Sequence, residues 1–155
     1  MKLGFIGTGN ITVAVVNGIC GSKIAFKKIL VSPKNKSNAL KLSKKFKKVS
    51  IAKTNQEIVD KCNWVFLAVT PKLGEQIIPK LKFRSNQKII SFISTIKLDK
   101  LKKFINTKVK IVRAIPLPPI SIGKGPVPIC PPDNQVKSFF DKIGTTIEIK
   151  SEKLS

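Results

Sequence analysis

Histidine and tyrosine are missing from this 155-residue chain, and tryptophan and methionine occur once each. Without an imidazole, the proton transfers and nucleophile activation that histidine performs near neutral pH have no carrier. The three cysteines, Cys20, Cys62 and Cys130, show no C-x-x-C spacing. With no histidine to join them a zinc site is not expected, and an odd, unpatterned count suits reduced, mostly buried thiols. Carboxylates are scarce too: 8 acidic residues face 30 basic ones, a formal net charge of +22. Within that excess arginine is confined to Arg84 and Arg113. Arginine is the usual reader of base edges and phosphate forks, and the lysines recur on the polar faces of almost every expected helix rather than in one stripe. The charge therefore reads as a solvated lysine surface, and nucleic acid is set aside as a partner. No apolar run approaches the ~20 residues needed to cross a bilayer, so no membrane partner is expected. Glycine interrupts Met1-Lys2-Leu3-Gly4-Phe5-Ile6-Gly7 too early for a signal-peptide core, and a cytoplasmic protein is expected.

What is present is a single domain's worth of chain, residues 1–155, with 42% hydrophobic residues. Lys2–Gly7 reads as a buried strand, and Asn10–Cys20 as a helix with Ile11, Val15 and Ile19 on one face and an end weakened by Gly18 and Gly21. Strand Lys28–Ser32 and the amphipathic helix Ser37–Lys48 follow, the helix turning Ala39, Leu42 and Phe46 inward. After a short strand at Val49–Ala52, Thr54-Asn55-Gln56-Glu57 has the form of a capping box opening a brief helix. Asn63–Val69 is the strongest strand pattern, an apolar run stopped by Pro71, with Leu73–Leu81 as the return helix. Strand Lys88–Ser94, a helix marked by Leu98, Leu101 and Ile105, and strand Lys108–Ile115 continue the alternation. The prolines crowded between Pro116 and Pro132 suggest an extended rim loop around an edge strand. A helix marked by Val136, Phe139, Phe140 and Ile143 and a strand at Thr145–Lys150 close the chain. Alternating β and α implies right-handed crossovers and a doubly wound, mainly parallel α/β sheet, in the order 3-2-1-4-5-6.

The first strand runs into Gly7-Thr8-Gly9-Asn10-Ile11-Thr12. A dinucleotide turn asks for a glycine at the bend and a second glycine where backbone approaches pyrophosphate. A helix must then start so that its free N–H groups face the phosphates. Thr12 is bulkier than the small residue usual at the third position. About 20 residues further on, an acidic residue would grip the ribose 2′-hydroxyl of NAD. Here the segment is Ser32-Pro33-Lys34-Asn35-Lys36, with no carboxylate. Ser32 and Asn35 can donate hydrogen bonds and Lys34 and Lys36 can neutralise a 2′-phosphate, which favours NADP over NAD while leaving NAD possible.

Taken together these segments resemble the pyrroline-5-carboxylate reductase family. Phe5-Ile6-Gly7-Thr8-Gly9-Asn10-Ile11 looks like its start and Val31-Ser32-Pro33-Lys34-Asn35 like its ribose-phosphate loop. Thr54-Asn55-Gln56-Glu57 resembles its adenine-side segment, Leu67-Ala68-Val69-Thr70-Pro71-Lys72 its fourth-strand motif, and Arg113-Ala114-Ile115-Pro116 with Gly123-Lys124-Gly125 its sixth-strand and loop motif. The resemblance implies a Rossmann-type domain with Gly7, Thr8, Gly9, Asn10 and Ile11 under the pyrophosphate. It implies Ser32, Lys34 and Asn35 at the ribose phosphate, Asn55 at the adenosine end, and Ala68, Val69, Thr70 and Pro71 along the floor. The implied reaction is NADP-dependent reduction of 1-pyrroline-5-carboxylate to proline. No residue is nominated as catalytic and no metal is expected.

The chain departs from the family pattern in places. Thr70 stands where Lys or Arg is common, Leu117-Pro118 where Asn-Thr usually lies between prolines, and Ile93-Ser94-Thr95 where small residues and glycine end the fifth strand. The last two segments border the substrate end, so a reductase or dehydrogenase for another small imine or carbonyl stays open, as does a non-catalytic NADP-binding module. The family's helical C-terminal domain, which forms the dimer and most of the substrate pocket, would begin where this chain stops. The expectation is either a fragment or a stand-alone nucleotide-binding domain, with the imino acid a partner only if such a domain completes it.

Overall fold

A computed structural model describes residues 1–152. Strands β1 (Lys2–Ile6), β2 (Lys28–Val31), β3 (Val49–Ile51), β4 (Trp64–Leu67), β5 (Lys88–Ser91) and β6 (Lys110–Ala114) pair in parallel, in the order β3-β2-β1-β4-β5-β6. Leu3, Phe5, Val65, Phe66, Ile89 and Ile90 are fully buried, because helices cover both faces and leave no wet side to alternate toward. One face carries α1 (Asn10–Cys20), α2 (Lys36–Lys45) and α6 (Asn134–Asp141), and there Phe5 stacks on Phe66 with ring centroids 4.4 Å apart. The other carries α3 (Asn55–Lys61), α4 (Pro71–Ile77) and α5 (Leu98–Phe104). This is the doubly wound α/β sheet read from the sequence. Its strand order reverses between β1 and β4, which opens a crevice beyond their carboxyl ends.

Local differences have physical causes. In α1 the buried face is Thr12, Val15, Val16, Gly18 and Ile19, with Ile11 only half-buried. Gly18 does not end the helix, which runs on to Cys20. A Cβ there would lie 2.3 Å from the Ile120 carbonyl oxygen, so glycine permits a 3-10 turn at Pro118–Ile122 to press against α1. The proline-rich segment is thus not only a loop around an edge. Its second half is β7 (Pro126–Cys130), an inner strand antiparallel to β6, and β8 (Thr145–Glu148) pairs with it in parallel and takes the edge. Pro128 still offers its carbonyl, which accepts from the Ile115 N–H at 3.0 Å. Its missing N–H cannot return that bond, in keeping with a β6–β7 ladder of only Arg113–Cys130 and Ala114–Ile129.

All three cysteines are free, and burial pushes each thiol up, Cys62 to about 11, against the lowering influence of nearby lysine and arginine charges. They are protonated at neutral pH and poor nucleophiles. No helix among the described residues is long and apolar enough to cross a membrane.

At the amino ends of the strands, Lys88 Nζ lies 2.8 Å from Asp133 Oδ2 and 2.7 Å from Gln135 Oε1, with both charged side chains nearly buried. Asp133 also caps α6, its Oδ1 accepting from the Val136 N–H at 3.0 Å. Burial alone would raise the Asp133 carboxyl; the Lys88 ammonium and the Val136 N–H together outweigh it and hold the carboxyl below its ordinary value. A lowered folded-state pKa contributes stability that is complete above the unfolded value of roughly 3.9 and is lost as pH falls through the folded value. Asp133→Asn keeps the cap but loses the charge, and urea unfolding at neutral pH should show a loss of about 1–2 kcal/mol. That gap should close on the acid side. A gap that persists undiminished at low pH would contradict the assignment.

Candidate functional site

The crevice between β1 and β4 opens into a cleft of about 500 Å³. It is lined by Gly7, Thr8, Gly9, Ser32, Lys34, Asn35, Lys36, Asn55, Ala68, Val69, Thr70, Leu73 and Ile77. Gly7 makes the bend at φ +102°, with β4 so close that a Cβ would stand 2.2 Å from the Ala68 carbonyl oxygen. Gly9 is the N-cap of α1 and has no side chain to cap with. A Cβ there would meet nothing within 4 Å. The first internal bond of α1 is from the Val13 N–H to the Gly9 carbonyl at 3.1 Å. The N–H groups of Asn10, Ile11 and Thr12 thus find no acceptor among the described residues, and they carry the positive end of an 11-residue helix. Space, free donors and helix polarity together suit an anion of phosphate size.

Thr12, which looked too large for its place, has a use. It is fully buried and its hydroxyl donates to the Gly7 carbonyl at 2.6 Å, tying the helix start to the bend. Thr8 donates its hydroxyl proton to the Ser32 carbonyl at 2.8 Å, while Ser32 Oγ accepts from the Gly7 N–H at 2.9 Å and lies 2.8 Å from Thr8 Oγ1. With Thr8's single proton given to the carbonyl, the Ser32 proton goes to Thr8. Ser32 therefore lines the cleft with its hydroxyl already committed to the turn. Asn35 lies at the cleft as the N-cap of α2, accepting from the Asn38 N–H at 3.3 Å.

Lys34 and Lys36 are exposed at the rim and form no ion pair among the described residues. They belong to a wider field: the first 56 residues contain no carboxylate, and every lysine from Lys23 to Lys53 is exposed. The β3 side of the cleft is thus positive, which draws an anionic ligand toward it. On the opposite wall Thr70 caps α4, its hydroxyl oxygen 3.4 Å from the Leu73 N–H, and Pro71 takes the first helical position. At the start of α3 Thr54 Oγ1 accepts from the Glu57 N–H at 3.1 Å while Glu57 reaches back to the Lys53 N–H at 2.6 Å, the expected capping box displaced by one residue. This fixes Asn55, whose Oδ1 is buried with no hydrogen-bond partner among the described residues.

Of the residues singled out from the sequence, Gly7, Thr8, Gly9, Ser32, Lys34, Asn35, Asn55, Ala68, Val69 and Thr70 meet in this one cleft. Asn10 and Ile11, in the first turn of α1, and Pro71, at the start of α4, are not among the residues that line it. Leu73 and Ile77, one turn apart on α4, form an apolar wall that sequence reasoning missed. The four-residue spacing of Leu73 and Ile77 is that of one helix face, but it does not say what that face meets. Ile93, Ser94, Thr95 and Leu117 do not line the cleft. Ser94 instead borders a smaller cavity of about 210 Å³ with Arg113 and Cys130. There Arg113 donates to the Ser94 carbonyl and, at 2.6 Å, to Glu152.

Residues 2–96 match the protein-family model described as NADP oxidoreductase, coenzyme F420-dependent. Among curated relatives, the chain is 28% identical over 128 residues to pyrroline-5-carboxylate reductase 3 of Danio rerio, covering 81% of this chain and 44% of that protein. It is 26% identical over 133 residues to the Escherichia coli pyrroline-5-carboxylate reductase, covering 84% of this chain and 49% of the relative. The chain thus spans about half the length of the curated relatives it matches. The crystal structure of Plasmodium falciparum pyrroline carboxylate reductase with NADP bound superposes with a TM-score of 0.85 at 24% identity, over 99% of this chain and 59% of that one.

Proposed function

The chain belongs to the NADP oxidoreductase, coenzyme F420-dependent family, and from that premise we propose that it is the NADP-binding domain of a reductase acting on 1-pyrroline-5-carboxylate. One observation carries the reading: the unfilled space over Gly9, beneath free N–H groups of α1 and beside a lysine-bearing, carboxylate-free loop. The residues present fit such a cofactor. The turn from Gly7 to Ile11 would hold the pyrophosphate, and Lys34, Lys36 and Asn35 the 2′-phosphate. Asn55, with its orphaned Oδ1, would serve the adenosine end, and Ala68, Val69 and Thr70 the floor. NAD would find the same turn but no carboxylate for its ribose hydroxyl.

When bound, reduced NADP supplies a hydride for the C=N carbon of a small cyclic imino acid, the step that gives proline. The chain's own contribution is to bind and orient. Backbone donors fix the phosphates, and Leu73 and Ile77 keep one wall apolar. Among the described residues, the family resemblance sets Ile93–Thr95 and Pro116–Pro119 toward the substrate, and none of them lines the cleft. No residue is assigned as proton donor. The reading includes a helical C-terminal domain completing the substrate side and forming the dimer, as the family resemblance implies. It also includes a cytoplasmic setting, which three free cysteines support. A reductase for another small imine or carbonyl is the second reading, favoured by Leu117-Pro118 in place of the family's Asn-Thr.

The test is an assay of residues 1–155 that follows loss of reduced-nicotinamide absorbance with pyrroline-5-carboxylate. Oriented near-attack geometry is worth roughly 7–11 kcal/mol, so a chain that binds the dinucleotide but leaves the substrate unwalled should turn over little above background. Turnover at an ordinary rate of about 10 per second would show the site to be complete in these residues and overturn the domain assignment.

A further inference from the structure

The glycine turn and the lysine loop are joined by a closed ring of hydrogen bonds. Thr8 donates to the Ser32 carbonyl at 2.8 Å. From Ser32 the chain passes Lys34 to Asn35, whose Oδ1 accepts from the Asn38 N–H at 3.3 Å. Asn38 then closes the ring by donating its Nδ2 to the Thr8 carbonyl at 2.9 Å. The covalent path from Thr8 to Asn38 is 30 residues long, yet these bonds leave the segment from 32 to 38 little freedom to swing away from the turn. Asn38 is half-buried, sits in the first turn of α2 and does not line the cleft.

We infer that Asn38 is a positioning residue for cofactor choice: it holds Lys34 and Lys36 at a fixed distance from the pyrophosphate turn, so that a 2′-phosphate and a pyrophosphate are engaged together. The inference rests on the proposed NADP-binding role of the cleft. A ligand gripped at two points gains from a brace that fixes their separation, because the ordering cost is met in folding rather than in binding. A ligand gripped by the turn alone gains little. NADP is the first kind and NAD, with no 2′-phosphate, the second. The Thr8–Ser32 bonds keep the turn itself in shape without Asn38. Loss of the Asn38 amide should therefore loosen the loop more than the turn.

The experiment is calorimetric titration of NADP and of NAD into the 155-residue chain and into Asn38→Ala, with melting midpoints for both. Alanine is a good helix former at a helical position. Asn38→Leu, close in size but without a donor, is the second variant. In both, NADP affinity should fall about five- to tenfold, the value of one hydrogen bond, while NAD affinity stays within about twofold. A role that is only structural would weaken both dinucleotides equally, or lower the midpoint without changing their ratio, and either result overturns the inference. If the unaltered chain binds neither dinucleotide, the NADP-binding reading itself fails, an outcome distinct from an unchanged ratio in chains that bind.

Discussion

Gly7→Ala should lower the unfolding midpoint by more than about 5 °C and abolish dinucleotide binding, the larger part of the damage being to the fold. At φ +102° an L side chain is strained wherever there is room for it, at about 1–3 kcal/mol. Here there is no room. The new Cβ would stand 2.2 Å from the Ala68 carbonyl oxygen, 2.6 Å from its carbonyl carbon and 3.0 Å from Val69 Cγ1, and two of these three atoms are backbone. β1 and β4 would have to part at the Ala68 N–H to Ile6 carbonyl bond of 2.8 Å. Overpacking of this kind adds about 1–3 kcal/mol. Against a total stability of about 5–15 kcal/mol for a domain, the sum is a large fraction. Thermal unfolding followed by circular dichroism gives the answer, and an unshifted midpoint would mean that the bend does not press on β4 as described.

Gly9→Val should do the reverse. Nothing within 4 Å meets a Cβ at this position, and the backbone is extended at φ −80°, which any residue adopts. The cap loses at most about 1 kcal/mol. Binding is another matter, because the added methyl groups occupy the open space over Gly9 that the proposed reading gives to a phosphate held by the free N–H groups of Asn10, Ile11 and Thr12. Hydrogen bonds to a charged group are worth about 1.5–3 kcal/mol each, so losing two should weaken binding at least a hundredfold. The pair of substitutions therefore separates the two duties of the turn, and the folded Gly9→Val chain should show binding lost with its midpoint nearly kept. A folded variant that still binds NADP as the parent does would place the phosphates somewhere other than over Gly9.

The parallel order β3-β2-β1-β4-β5-β6 could be read in advance because β1 to β5 are each a short apolar run followed by a helix, and the glycine turn directly after β1 points to the dinucleotide-binding strand order among right-handed doubly wound sheets. β7 was obscured because proline at 126 and 128 argues against a strand, whereas Pro128 serves the ladder through its carbonyl alone. Strand ends were overestimated where apolar sequence outlasts pairing, as at Asn63–Val69 against Trp64–Leu67. In the cleft the glycine turn, the lysine loop and Asn55 were legible because their chemistry is local. Thr12 showed its bulk but not the hydroxyl that reaches the Gly7 carbonyl. Asn38 gave no sign at all, since its partner Thr8 lies 30 residues away and an asparagine in the first turn of a helix reads as ordinary capping chemistry.

The central claim is that the turn from Gly7 to Ile11 and the loop from Ser32 to Lys36 together make a site for NADP. Calorimetric titration of NADP and NAD into residues 1–155, repeated with Lys34→Ala, tests it most directly. NADP should bind more tightly than NAD, and the gap should narrow in the variant, because the loop meets a 2′-phosphate with lysine and meets a 2′-hydroxyl with no carboxylate. Equal affinities in the unaltered chain, or a preference for NAD, would contradict it.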